Sequence, residues 1–208
     1  MWHFYEHINE YPRTRLGFLV LLYVLPVLAI AYGIIPFEYR HEFGAIVLII
    51  VLGYVYYKGH SIKDLGIRMD NFSPAAKLFM PATICVSIGL YLAYFSAYFP
   101  LAGNPTSFYF YAFYFAISCP VQEFLFRSVL FAELKNQKDI EYSRTFKIAF
   151  TTAIFTLLHL IYFNYLMLFL SLGMGIVWGF IYEKHPNLFA ASIAHFIVGS
   201  LAFYLQLV

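Results

Sequence analysis

The chain has 208 residues, of which 62% are hydrophobic, 22% aromatic and only 12% charged, with a formal net charge of +2. A soluble domain carries about a quarter of its residues charged, so this composition and a mean hydropathy of +0.73 exclude an ordinary soluble protein. A charge so small and so scattered gives no argument for nucleic acid as a partner.

Apolar runs of about 20 residues recur along the whole length, each enough to cross a hydrocarbon core of about 30 Å. The expected fold is all-α: a polytopic integral membrane protein, one membrane domain over residues 1–208, with about seven spans around a polar cavity. The N-terminal tail holds His3 and His7 at i, i+4, which fits an interfacial segment before the first span. That first run, Leu16–Ile35, lacks a small-residue cleavage site and reads as a retained span. A short second span, Phe43–Tyr57, leads into the longest loop, Lys58 to Ser73, where Leu65, Ile67, Met69 and Phe72 suggest a course along the membrane surface. His41, His60 and His185 read as loop residues without partners. The remaining spans are Ala75–Phe99, Phe108–Leu134, Phe146–Phe163, Leu166–Tyr182 and Leu188–Leu207. Cys85 and Cys119 fall inside apolar runs, where free cysteines behave as small hydrophobes. The sixth span carries Gly175 and Gly179 in a GxxxG spacing that lets helices approach closely.

Arg13, Arg15, Lys58, Lys63, Arg68, Lys77, Lys135, Lys138, Arg144, Lys147 and Lys184 all fall on one side of this parse, against Arg40 alone on the other. The bias places the N-terminus in the cytoplasm and the C-terminus outside. At about 1.5 Å per residue, Glu123 then lies about 16 Å, His159 about 20 Å and His195 about 12 Å from the cytoplasmic ends of their spans. Their three helices run in different directions, yet these residues share one depth band, which supports a single site.

Titratable groups inside a span cost several kcal/mol and mark function more often than chance. Glu123 and Arg127 are spaced i, i+4 and share one helical face; arginine holds a carboxylate in a fork and keeps it ionised. A buried ion pair also serves as a packing device, and a single histidine on an apolar face is often a satisfied core residue. Together at one depth, a carboxylate and two imidazoles can carry acid–base chemistry on water. Pro120, just before the pair, weakens the local hydrogen-bond ladder. Gln122 sits about 100° round the helix from Glu123.

The stretches Gln122-Glu123-Phe124-Leu125-Phe126-Arg127, Phe155 to His159, and His195 to Gly199 resemble, in order, the motifs of the CPBP family. These are intramembrane proteases of the CAAX prenyl endopeptidase and bacteriocin-processing (Abi) type. Tyr182-Glu183-Lys184 and Asn187-Leu188 ahead of Ser192-Ile193-Ala194-His195 resemble the family's lead-in, so the resemblance covers about 108–205. It implies a helical fold with a polar cavity open toward the cytoplasm or inner leaflet. It further implies an endopeptidase whose water is activated by a glutamate and a histidine, acting on a membrane-associated peptide or protein. Carried over by position, Glu123, Arg127, His159 and His195 are the catalytic group. Cofactor use stays open: Glu123, His159 and His195 could ligate zinc, while a glutamate-plus-histidine mechanism needs no metal.

Two positions depart from the family pattern. Gln122 stands where a first glutamate, generally taken as the base, is usual, and an amide only positions water. Gly199 stands where an asparagine is usual, which removes one oxyanion donor. Either Glu123 serves as the base, or position 122 has been altered, or the chain is a non-catalytic relative that binds a membrane peptide. A proton-coupled transporter is a third function class, but no pair of interrupted helices in matching halves supports it. The resemblance and the chain's size point to a bacterial cell membrane.

Overall fold

The computed structural model describes residues 12–96, 107–136 and 141–207, whose regular structure is all helical, with no strand among them. The helices are α1 (Pro12–Ala31), α2 (Arg40–Lys58), α3 (Phe72–Phe95), α4 (Phe108–Lys135), α5 (Arg144–Leu158), α6 (Tyr165–Lys184) and α7 (Leu188–Tyr204). The His3 and His7 pair lies outside the described residues.

Six of these helices are long and apolar enough to cross a membrane, and the protein is an integral membrane protein. The seventh expected span is α7, whose 17 residues measure about 25 Å at 1.5 Å per residue, the short end of the spanning range.

Helix α4 is the axis of the bundle. Its most apolar window is 61% buried, against 11–39% for the other spans. On one side α1, α2 and α5 close over Phe124–Leu130 with Leu19, Tyr23, Val51 and Phe155. On the other, α3, α6 and α7 build a second core from Phe79, Trp178 and Tyr182. Lipid tails are as apolar as leucine, so burial alone does not drive helices together in a membrane; close packing at small residues does. Ala190, Ala191, Ala194 and Ala202 of α7 are buried in that second core, where α7 runs against α3. Gly175 and Gly179 bring α6 onto Thr152 and Ile148 of α5. Leu21, Leu25, Ile49, Ile88 and Phe169 face outward, as lipid-facing positions should.

The α2–α3 loop does not lie wholly on the membrane surface. Met69 is exposed, but Leu65 is buried in the core, because the loop docks on the α6–α7 turn. Ser128 Oγ donates to Tyr182 Oη at 2.9 Å, and Tyr182 Oη donates to the Leu65 carbonyl at 3.1 Å. Asn187 Nδ2 donates to the Arg68 carbonyl at 2.7 Å and to Asn71 Oδ1 at 2.8 Å, while its Oδ1 caps α7 by accepting from Ala190 N at 2.9 Å. Gly66 makes the docking fit: its φ is +70°, and a Cβ there would meet Tyr182 Oη at 2.5 Å. Asn187→Ala removes a cap and two bonds to the loop, so a loss of about 2 kcal/mol is expected. Thermal unfolding in detergent measures it, and an unchanged midpoint would contradict this docking.

His60 is likewise not partnerless. Its Nε2 lies 3.1 Å from Glu133 Oε2, and Arg15 Nε lies 3.4 Å from Glu133 Oε1. Glu133, near the end of α4, thus ties α1 and the loop to the central helix. The His41 ring meets the edge or face of Phe113 at 5.5 Å between centroids.

Candidate active site

Helix α4 is continuous but not regular. It winds as π-helix over Tyr114–Ser118 and again over Phe124–Val129, on either side of the α-turn Cys119–Glu123. Pro120 offers no N–H to the preceding turn, and π-turns of this kind cluster at functional sites. Every residue of the second π-segment is buried, Arg127 included.

Glu123 is fully buried at the end of the intervening α-turn. Its Oε2 accepts from Arg127 Nη1 one turn on. Its Oε1 accepts from His195 Nδ1 on α7 at 2.9 Å. Both carboxylate oxygens are therefore committed, one to each neighbour. The Arg127 guanidinium also lies 5.5 Å from the Phe155 ring centre and 5.7 Å from that of Trp178. The charge is compensated by a carboxylate and two π-faces, which is what a buried guanidinium requires.

His159 ends α5 and opens a 3₁₀ turn, His159–Tyr162. Its Nδ1 donates to the Phe155 carbonyl at 2.9 Å. Phe155 lies between the two histidines, with ring centroids 4.8 Å from His159 and 5.7 Å from His195. A carbonyl and a carboxylate only accept, so each imidazole carries its proton on Nδ1 and offers Nε2 as an acceptor. Both line one cavity among α4, α5, α6 and α7, together with Tyr114, Phe155, Trp178 and Gly199. Its remaining walls are mostly apolar.

Glu123, Arg127, His159 and His195 thus come together around one centre. Gln122 does not line the cavity: it is half-buried, and its Nε2 donates to Ser118 Oγ at 2.9 Å. Both glutamate oxygens are engaged and the two Nδ1 atoms face hydrogen-bond acceptors. Among the described residues no group of three or more His, Cys, Asp or Glu side chains is arranged to hold a metal.

The space beside Gly199 is filled. A Cβ on Gly199 would fall 2.0 Å from Tyr114 Oη and 2.8 Å from its Cζ. Tyr114 packs edge-on to His195 at 5.8 Å, so glycine at 199 admits the phenol to the wall beside the histidine. Gly199→Ala is expected to cost about 1–3 kcal/mol by overpacking, and Tyr114→Leu in the same chain to restore most of it. Melting of the two variants checks this; equal destabilisation in both would contradict the contact. Tyr114 and Trp178 are the cavity residues that sequence reasoning missed, since each is one aromatic among many in apolar runs.

The type II CAAX prenyl endopeptidase Rce1-like family model matches residues 104–201. Over that stretch, just under half of its length, the chain is similar to the Rce1-like family. The matched segment contains Glu123, Arg127, His159, Trp178, His195 and Gly199, every residue of the centre just described. No curated protein and no solved structure matches the chain. The family so matched is one of CAAX-type intramembrane proteases, which act on membrane-associated proteins or peptides within the bilayer.

Proposed function

We propose that the protein is an intramembrane endopeptidase in which His195, oriented by Glu123, takes a proton from water at Nε2. The observation that carries this reading is the pair of bonds that uses both oxygens of Glu123, one to Arg127 and one to His195 Nδ1. A carboxylate held in this way fixes the histidine tautomer and favours the imidazolium that forms as water is deprotonated. The hydroxide attacks the carbonyl carbon of the scissile amide. The proton on His195 then passes to the leaving amine. His159, with a second Nε2 in the same cavity, holds the water or the departing amine. Glu123 therefore acts through His195 rather than on water directly, and no step needs Gln122 or a metal.

The substrate is a membrane-associated peptide or protein whose apolar part enters the mostly apolar cavity. The one-sided distribution of Lys and Arg supports a cytoplasmic N-terminus, and the chain's size with the family resemblance supports a bacterial cell membrane. Purified protein incubated with a farnesylated CAAX peptide and with unmodified membrane peptides tests the reading. Cleavage of at least one by wild type and its loss in Glu123→Gln are expected; equal processing by both would sink it.

A second reading, a relative that binds such a peptide without cleaving it, is favoured by Gln122 turning to Ser118 and by the phenol filling the space at Gly199. Binding without cleavage by wild type, with cleavage gained in Gln122→Glu, is the result that reading expects.

A further inference from the structure

Trp178 is the cavity-lining residue that the water-activation chemistry leaves without a task. It sits on α6, 2% exposed, and its indole Nε1 is buried with no hydrogen-bond partner. An indole N–H is a donor only, and leaving it unpaired in a low-dielectric interior costs about 1–3 kcal/mol. Such a donor calls for an acceptor that arrives with a ligand.

Its placement says which acceptor. The Trp178 ring lies 5.9 Å from the His195 ring, centre to centre, and both line the same cavity. The two rings stand close enough for one bound substrate to touch both, and the indole N–H is the unpartnered donor in that wall. The other neutral donors in the wall are already used. Ser171 Oγ donates to the Leu168 carbonyl at 2.9 Å, and the Tyr114 hydroxyl is packed against Gly199 with the Cys119 thiol as its partner. The Arg127 guanidinium lies 5.7 Å from the centre of the Trp178 ring. A cation near the indole face draws electron density from the ring and leaves its N–H edge more positive. Gly175 and Gly179 bring the same turn of α6 hard against Thr152 and Ile148, so the indole is presented from a closely packed helix.

We propose that the Trp178 indole N–H donates to the carbonyl oxygen of the bond being cleaved and holds it as negative charge develops there. This rests on the endopeptidase reading and adds its oxyanion donor. A donor aimed at a developing oxyanion typically contributes about 10²-fold or more in kcat.

Trp178→Phe keeps an aromatic ring and deletes the N–H. Replacement of Trp178 by the isosteric amino acid β-(3-benzothienyl)alanine, sulfur for N–H, deletes the donor with no change of shape and keeps the test open if phenylalanine fails to fold. Kinetics would be read on the farnesylated CAAX peptide and on the unmodified membrane peptides. In parallel, the infrared stretch of a ¹³C-labelled scissile carbonyl would be read for the same peptides bound to Glu123→Gln protein, with and without the isostere. The expected result is a kcat about 100-fold lower with KM little changed, and a carbonyl stretch that moves back up in frequency once the donor is gone. Unchanged kcat, or a stretch identical with and without the N–H, overturns the role of Trp178 while leaving the protease standing. Failure of every protein form to bind or cleave any of the peptides overturns the protease reading, and this inference with it.

Discussion

Arg127→Met is expected to destabilise the protein by about 3–5 kcal/mol, the usual cost of stripping one partner from a buried ion pair. The physical reason lies in what remains. Glu123 would stay fully buried with Oε2 facing an apolar side chain, and among the described residues no other Lys or Arg pairs with it. The carboxylate would have to take up a proton or draw in water. Protonation leaves Oε1 as an acceptor for His195 Nδ1 but removes the negative charge that favours the imidazolium, so activity falls with stability. The paired substitution Glu123→Leu with Arg127→Met tests the cause, because two apolar residues of similar bulk leave no orphan charge. Its unfolding midpoint should lie well above that of Arg127→Met alone, with activity still absent. A single substitution costing under about 1 kcal/mol, the value of an exposed pair, would show that the guanidinium is solvated and not compensated as described.

Glu123→Gln is the second large effect, and it separates orientation from charge. An amide presents one acceptor and one donor, whereas Arg127 and His195 both donate to this position. Whichever way the amide turns, one donor faces another. If the amide oxygen stays with His195, the imidazole keeps its tautomer but loses the negative charge that favours its protonated form. If it turns to Arg127, the imidazole flips or moves its proton to Nε2, and the acceptor for water is gone. A fall in kcat of about 10³-fold is expected, within the range of a positioned acid–base group. Single-turnover cleavage of whichever peptide the wild type processes measures it. A rate within tenfold of wild type would mean that His195 needs no carboxylate behind it.

Much of this centre was legible in the sequence because lipid makes polar residues conspicuous. Glu123, Arg127, His159 and His195 stood out against apolar runs, and their i, i+4 spacing and shared depth followed from helix geometry alone. The resemblance was carried by the same residues, and the family match falls over them. What the sequence hid has three physical origins. Hydrogen-bond register in a helix leaves no periodic trace over five or six residues, so the π-segments flanking Glu123 could not be read. Pairings between distant segments leave no local signal: Glu133 and His60 are 73 residues apart, and the docking of Leu65 depends on Tyr182 and Asn187 far down the chain. Finally, an aromatic that lines a cavity reads like one that faces lipid, which concealed Tyr114 and Trp178 among 24 phenylalanines and 19 tyrosines. The last expected span ends earlier than its apolar run for a simpler reason. Its apolar run extends through Leu205 and Leu207, but the helix stops at Tyr204, where a residue with positive φ, Gln206, follows close behind.

That early stop has a mechanical consequence for the membrane. The helix that supplies His195 is about 5 Å shorter than the hydrocarbon slab it would need to match. Beside it the bilayer must dimple, or water must penetrate further than elsewhere around the protein. A reaction that consumes water inside a lipid slab gains from a thin spot at the histidine that activates it. Turnover should therefore respond to acyl-chain length, rising in bilayers of short-chain lipid and falling as the slab thickens, with the protein's own side chains unchanged.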